Sequence, residues 1–462
     1  MAENNVQYID KSITQFLNDE YTEYAKYVIM TRCCPSLIDG LKTGARKIMH
    51  AAFVGTLKNG TEAKLLALQG DTYKESLFLH GDASLNSGII SLAQAHHNLL
   101  NPIEAIGQVG SLRDPNAVSA PRYLHVKLSK YANILKTDKE LLDYEFDEGQ
   151  YLEPKYYLPV IPVILTDIAI GMAPGYHFSV MSYNPVEVID ACKTILTSRK
   201  AKPLDDMVIH PYVRGIKKKN WKLEEGSWVN YGEFKWDEKK RVINITDLPY
   251  DVDYDGFEKL LNKLVENEDI KDWSNLSEEG NVNYIIDCRK GKWASTLKGK
   301  TVNHKIQSKL KLRKVLPNDD LWVLDENKKV RHFNHIKELI DYFVNFRLTK
   351  YTDRKKRLVK ILEERLKKND ELVKFIELVC KGKLKIRNRA KKDIKVDMDS
   401  YKLPIELIST PMSKVTIEER DELLKQNEAI RKELEYVKKT TEKQMYINDL
   451  DKLKSEIEKD FK

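Results

Sequence analysis

The chain has 462 residues, 78 Lys and Arg against 70 Asp and Glu, and a formal net charge of +8. That leaves room for about three domains of ordinary size and permits a polyanionic partner without demanding one. With 42% hydrophobic and 32% charged residues, and no apolar run approaching the ~20 residues of a membrane span, the composition excludes a membrane-embedded protein and fits a helix-rich globular one. The five cysteines, Cys33, Cys34, Cys192, Cys288 and Cys380, make no Cys-x-x-Cys, which argues against a disulfide framework or structural zinc and for a reducing compartment. Met1-Ala2-Glu3-Asn4-Asn5 lacks the basic-then-apolar pattern of a signal peptide. An intracellular location is therefore expected, host cytoplasm if the source is viral or bacterial.

In chain order, residues 12 to 52 read as two helices with a turn. Phe16, Tyr21, Tyr24, Ala25, Val28 and Ile29 recur near helical spacing. Pro35 biases Cys34 away from helix, Asp39-Gly40 marks a second break, and a second helix runs through Gly44 to Met49. Residues 84 to 100 suggest another helix, with Ile89, Ile90, Leu92, Ala93 and Leu99 on one side. Short helices with basic residues at their turns suit a helix-turn-helix or winged-helix module. From about residue 151 the texture turns mixed α/β. Residues 158 to 165 read as an extended, buried strand, 241 to 246 as an alternating strand after a turn at 237 to 240, and 283 to 288 as another.

Past about 335 the chain becomes long helix. Val344, Leu348, Tyr351, Leu358, Leu362, Leu372, Ile376 and Val379 follow an imperfect heptad seam interrupted at Lys355, Arg365 and Asn369. A second seam runs Leu423, Asn427, Ile430, Leu434, Val437 after the capping-box signal Thr416-Ile417-Glu418-Glu419. Between them lies a compact stretch with Pro404 and Pro411. The pattern predicts an antiparallel coiled-coil arm with a globular tip.

The residues with chemistry centre on Ser119-Ala120-Pro121-Arg122-Tyr123, with Ile106-Gly107-Gln108-Val109-Gly110 just upstream. An arginine before a tyrosine, behind a glycine-containing loop, suits a tyrosine that attacks a phosphodiester. Such attack conserves the number of phosphate ester bonds, so a break can be resealed without an outside energy source. It asks the protein for positioning and for positive charge where oxyanions develop, and arginine offers a planar fork of donors to a phosphate. Arg32 before Cys33-Cys34-Pro35, Lys42 and Arg46-Lys47 after Asp39-Gly40-Leu41, and His80-Gly81-Asp82 add basic or imidazole groups near the front of the chain. Lys217-Lys218-Lys219 is a candidate phosphate patch. Each of these alone has an ordinary structural explanation. No Gly-x-x-x-x-Gly-Lys-Ser/Thr loop and no paired-aspartate metal motif is found; Asp205-Asp206 and Asp319-Asp320 are isolated pairs. If the chain cuts DNA, a partner must supply the ATPase and the metal.

In order along the chain, these motifs resemble the breakage-reunion (A-type) subunits of type IIA DNA topoisomerases. Look-alikes are gyrase A, the matching half of eukaryotic topoisomerase II and, nearest, the medium subunit of the T-even phage enzyme. The resemblance rests on Arg32-Cys33-Cys34-Pro35-Ser36-Leu37-Ile38-Asp39-Gly40-Leu41-Lys42, Ala45-Arg46-Lys47, His80-Gly81-Asp82, Leu92-Ala93-Gln94 and the two stretches around Tyr123. It continues through Ile161-Pro162-Val163-Ile164-Leu165, Gly171-Met172-Ala173-Pro174-Gly175 and Ile245-Thr246-Asp247-Leu248-Pro249. It implies an α+β multidomain fold: an N-terminal helical segment (1–30), a winged-helix cleavage domain (31–150), an α/β tower domain (151–335), and a coiled-coil arm (336–462) with a globular C-gate tip at about 381–415.

By the same resemblance Tyr123 is the nucleophile that becomes linked to a DNA 5'-phosphate, Arg122 stabilises the scissile phosphate, Arg32 sits near the same phosphate to aid proton removal or stabilise charge, and His80 hydrogen-bonds the reacting centre. Lys42, Arg46, Lys47, Gln94 and Lys217 to Lys219 contact DNA, and Met172 takes the place of the apolar wedge that bends it. No metal ligand is assigned to this chain. Mg²⁺ and ATP are expected on an ATPase/TOPRIM partner subunit, double-stranded DNA as substrate, and a homodimer through the cleavage domain and C-gate. The chain departs from the pattern at Phe78 and Leu79, where a second histidine is common, and at Pro174. Its end at Lys462 leaves no place for a DNA-wrapping domain, so relaxation and decatenation are expected rather than supercoiling. A non-catalytic winged-helix DNA binder dimerised through its coiled coils is the alternative.

Overall fold

The computed structural model describes residues 11–278, 280–299, 301–386, 389–411 and 415–461. The Met1 to Asn5 reading and part of the expected tip fall outside them. Two compact units emerge, residues 1–344 with 452–462, and residues 345–451. Among the described residues no helix is long and apolar enough to cross a membrane.

In the first unit the chain is helical from Ile13 to Cys33, opened by a Ser12/Gln15 capping box and widened by π-helical stretches at Leu17–Tyr21 and Ile29–Cys33. It stops at Cys34, in extended conformation before Pro35. Gly40 turns the chain with φ +70, and a Cβ there would lie 2.6 Å from the Ile164 nitrogen, so only glycine fits. Helices Thr43–Val54, Leu65–Ser76 and Asp82–Ala93 follow. They pack over an antiparallel sheet with Ala63–Lys64 and Ile103–Ile106 flanking His125–Leu128. Ile48, Met49, Leu65, Leu68, Leu85, Ile89, Ile103, Leu124 and Val126 fill the core between them, each large side chain contributing about 1.5–3 kcal/mol. The helix expected to reach residue 100 ends at Ala93, where Asn98 turns back to donate to the Ser91 carbonyl.

The expected strand at 158–165 is buried but is not a strand. Pro159 and Pro162 cannot donate to a ladder, and the run closes into a 3₁₀ turn, Val163–Leu165, with Leu165 N–H bonded to the Pro162 carbonyl. A hairpin follows, Ala169–Ala173 against Tyr176–Val180. Beyond it, four antiparallel strands run in the order Glu233–Asp237, Val242–Asp247, Tyr284–Asp287, Asp272–Asn275. Helices Tyr254–Glu266 and Val302–Lys309 contribute Phe257, Leu261 and Ile306 to the core beneath them. The anticipated turn is built by Asp237, whose carboxylate accepts from Lys239 and Lys240 N–H. Strands Trp221–Glu224, Ser227–Tyr231 and Arg313–Val315 form a further antiparallel sheet. The chain's end belongs to this unit: Lys454 pairs with Asp190, and Tyr131 donates to Asp460.

The second unit holds most of the helix Ile336–Cys380, the helix Ile417–Lys439 and the start of Glu442–Ile457. Leu362, Ile430 and Val437 meet with Leu358, Leu366 and Leu434 packed around them. Leu366 takes the seam position next to exposed Arg365, and the buried Asn427 donates to Asp370 at 2.7 Å. Thr416 caps its helix by accepting from Glu419 N–H. Phe375, Ile376, Leu384, Ile394 and Met398 form a small core at the tip, where the Lys391–Ser400 helix lies.

Candidate active site and nucleic-acid interface

Tyr123 ends a 3₁₀ turn, Pro121–Tyr123, started by the fixed φ of Pro121. The next residue anchors it: Leu124 is fully buried and its carbonyl accepts from Leu65 N–H at 3.0 Å. Gly107 lies against that anchor, with φ +116 and room for no Cβ, since one would fall 2.7 Å from a Leu124 methyl. The turn is thus held from below while Tyr123 is 66% exposed. The Arg122 guanidinium stacks over the ring, 4.7 Å from its centroid. Stacking uses the guanidinium's face and leaves its in-plane N–H fork for a phosphate.

A second group forms around His80. Its Nε2 lies 3.2 Å from the Tyr27 hydroxyl, and the Arg32 guanidinium lies 5.6 Å from the centre of the Tyr27 ring. Tyr73 fixes the segment by donating to the His80 carbonyl and to Asp82. Phe78, in the place of a second histidine, is buried with its ring edge-on to His80 at 5.3 Å, while Leu79 is 91% exposed. The Tyr123 turn is tied through Leu124 to Leu65 at the start of the Leu65–Ser76 helix and His80 to Tyr73 near its end, two helix positions about 12 Å apart along the axis. Within one chain, then, Arg122 joins Tyr123, and Arg32 joins His80. Sequence reasoning missed Tyr27, which links the latter two; its three-residue spacing from Tyr24 and Tyr21 was the available signal.

The Ala169–Ala173 hairpin strand approaches the Arg32–Cys33 turn at Gly171, where a Cβ would lie 2.2 Å from the Cys33 carbonyl oxygen. Lys42 donates to the Ile170 carbonyl at 2.8 Å. Burial lowers the Lys42 pKa and pushes the neighbouring Cys34 thiol up to about 12. So mounted, the strand turns Ile170 and Met172 outward, Met172 74% exposed.

Two basic residues expected on DNA are turned inward instead. Arg46 is 7% exposed and forks onto the fully buried Asp39 at 2.7 and 2.9 Å. Asp39 also accepts from Leu41 and Tyr157 N–H, so the charge is spent on holding a turn. Lys47 donates to the Ser76 carbonyl and to the buried Glu153. Lys42, as above, braces the hairpin, and the Gln94 amide braces the nucleophile's loop through the Val109 carbonyl at 2.7 Å. Lys217, Lys218 and Lys219 stand at the surface around a 3₁₀ turn, with Lys217 and Lys219 paired to Glu233 and Lys218 to Glu187. The five cysteines are unpaired, Cys380 alone exposed.

Comparisons with known proteins find type II topoisomerases. A mitochondrial DNA topoisomerase 2 of Dictyostelium discoideum is 30% identical over 479 residues, 99% of this chain and 36% of the relative. A DNA topoisomerase 2 of Arabidopsis thaliana is 27% identical over 502 residues, 96% and 33% respectively. The chain therefore spans about a third of the length of the curated relatives it matches. The solved Plasmodium falciparum topoisomerase II DNA-binding, cleavage and re-ligation domain shares the fold, with a TM-score of 0.83 at 24% identity over 98% of this chain and 66% of that one. The family model for the A-type subunit of DNA gyrase/topoisomerase IV matches residues 32–452, and the chain belongs to that family, the breakage-reunion family of type IIA topoisomerases.

Proposed function

We propose that this chain is the DNA-cleaving subunit of an ATP-dependent type II topoisomerase, working as a homodimer with a separate ATPase/TOPRIM partner, as in the T-even phage enzyme. The observation that carries the reading is an exposed tyrosine on an anchored turn with an arginine stacked over its ring, inside the family-matched region. The Tyr123 phenolic oxygen attacks a DNA phosphorus and gives up its proton. The bond to the 3'-oxygen breaks, that oxygen leaves as a hydroxyl, and the 5'-phosphate stays on the tyrosine. Attack by the same 3'-hydroxyl reverses the step and reseals the strand. Arg122 supplies N–H donors to the phosphate oxygens as charge develops.

Arg32 and His80 lie toward the other end of the Leu65–Ser76 helix, so they serve the phosphate attacked by the second copy's tyrosine. Met172 is the apolar wedge of the bent duplex, and the three-helix, three-stranded module is the winged-helix DNA seat. Two cuts, one per copy, allow strand passage and hence relaxation and decatenation, and the coiled-coil arm closes the exit side. Among the described residues no three His, Cys, Asp or Glu side chains stand together as a cation would need. Both Mg²⁺ and ATP are assigned to the partner.

The test is a denaturant-trapped cleavage assay on supercoiled DNA with the partner and Mg²⁺. Tyr123→Phe should bind DNA and form no covalent adduct. In mixed dimers of Tyr123→Phe with Arg32→Gln, single-strand nicking should return, because one of the two composite sites is intact. An adduct that persists in Tyr123→Phe overturns the nucleophile. DNA binding without any adduct to the unaltered chain, with a verified partner, favours an architectural binder. Silent mixed dimers place Arg32 and Tyr123 at the same site of one copy.

A further inference from the structure

Between the strand Ile103–Ile106 and the Tyr123 turn, the chain makes an excursion that closes on itself. Ser119 N–H bonds the Gln108 carbonyl, Gly110 N–H the Ala117 carbonyl, and Ser111 N–H the Asp114 carbonyl. Gly110 has φ +79 and lies so close to Pro115 that a Cβ would meet its carbonyl at 2.7 Å. The tip of the excursion carries Arg113, which no motif singled out.

Arg113 does not face water; its side chain is 11% exposed. One terminal nitrogen donates to the carbonyls of Pro249 and Val252 at 2.7 and 3.0 Å. The other donates to the Asp247 carboxylate at 3.0 Å and to the Leu248 carbonyl at 2.5 Å. The Arg113 carbonyl in turn accepts from Tyr254 N–H, the first residue of the Tyr254–Glu266 helix. A planar fork reading several acceptors at once is what guanidinium provides and ammonium does not. The remaining Asp247 oxygen accepts from the Asn220 side chain at 3.1 Å. Asn220 is buried and closes the turn that displays Lys217, Lys218 and Lys219. One carboxylate therefore joins the tip of the nucleophile's loop to the turn that displays those lysines.

We infer that Arg113 is a positioning residue for Tyr123, locking the loop that leads to the nucleophile onto the Asp247–Tyr254 segment and, through the shared Asp247 carboxylate, onto the Lys217–Lys219 turn. The inference rests on the reading of Tyr123 as nucleophile and adds to it that duplex engaged on the lysine turn sets where the tyrosine stands. The sequence alone hides this, because Asp247 and Asn220 are distant along the chain and Arg113 resembles any loop arginine.

Two measurements test it on the full chain. Hydrogen exchange of the protein by itself should show amides 108–119 opening about tenfold faster in Arg113→Gln, with the Val242–Asp247 strand and the Thr43–Val54 helix still protected. In the assembled enzyme on supercoiled plasmid, covalent-adduct formation should fall by about a hundredfold, as for a nucleophile misplaced by an ångström, while equilibrium DNA binding stays within about twofold. Arg113→Lys, which keeps the charge and loses the fork, should fall between. Lys217→Gln/Lys219→Gln should slow adduct formation in the unaltered chain and add nothing in Arg113→Gln, which is the coupling evidence such a path requires.

Unchanged exchange in 108–119, or adduct formation at the unaltered rate in Arg113→Gln, overturns the lock. Additive effects of the lysine and arginine changes overturn the link to the lysine turn. Global unfolding of even Arg113→Lys assigns the residue to stability and overturns the positioning role. If the unaltered chain forms no adduct, the nucleophile reading fails, and the exchange measurement still decides whether Arg113 holds the loop.

Discussion

Arg46 and Arg122 are the same residue type with opposite tasks, and what separates them is the partner. Arg122 has an aromatic face beneath it and water around its edge; Arg46 has Asp39, fully buried, with a backbone amide on each carboxylate oxygen. Removing one member of a buried ion pair strands the other, so Arg46→Ala should cost about 3–5 kcal/mol in denaturant unfolding. Asp39→Asn with Arg46→Met together should cost less than Arg46→Ala alone, because no charge is left behind. Asp167 shows a different case. Burial pushes its carboxyl from 3.8 up to about 7, against a weak opposing contribution from the Thr166 hydroxyl. The folded chain holds that proton more tightly than the unfolded chain does. Its contribution to stability is therefore fully present below the ordinary carboxylate range and is lost as pH rises toward 7. Asp167→Asn should raise the melting temperature at pH 8 more than at pH 5, read by calorimetry at both; equal gains would contradict the assignment.

At the scale of elements, close backbone approach does more than side-chain packing to set the exposed hairpin. Gly171 lies against the Cys33 carbonyl oxygen where even one methyl is excluded. Gly171→Ala must push the Ala169–Ala173 strand away from the Arg32–Cys33 turn, at about 1–3 kcal/mol. It should also weaken the Lys42 bond to Ile170. The expected result is lower stability together with reduced bending of gate DNA, measured by energy transfer across an end-labelled duplex. Met172→Ala should reduce the bending with little loss of stability, since that side chain is exposed. Bending at the level of the unaltered chain in both variants would remove the hairpin from the DNA interface.

Across the whole molecule, the described cores fall within the two units: those of the helix-and-sheet layers in one, those of the arm and its tip in the other. Cores that share no residues need not melt together, so calorimetry should resolve two transitions. Arg46→Ala should lower one of them and leave the other. Asn427→Leu should raise the second by about 1 kcal/mol, because a buried amide whose oxygen has no partner gives way to apolar packing. A single transition, lowered by Arg46→Ala and raised by Asn427→Leu, would show that the units unfold as one.

The linear pattern determined what depends on neighbours along the chain. Pro35 ended a helix, the alternation at 241–246 made a strand, found at Val242–Asp247, Asp237 built the turn before it, and heptad spacing marked Leu423, Asn427, Ile430, Leu434 and Val437 as one face, of which all but the half-buried Leu434 are buried. The Arg122–Tyr123 pair was legible as a motif, and Pro121 and Leu124 on either side shape and anchor the turn that exposes it. What the tertiary structure decided depends on partners brought from elsewhere. Apolar residues 158–165 looked like a strand until their prolines and the backbone at Gly40 required a turn. Arg46 and Lys47 looked like phosphate contacts until Asp39 and Glu153 took their charges. Arg113 looked like loop until Asp247, Pro249 and Val252 closed around it. Local periodicity reports which face of an element is apolar; where a charge ends up is set by the groups that fold against it, and those are rarely its neighbours in sequence.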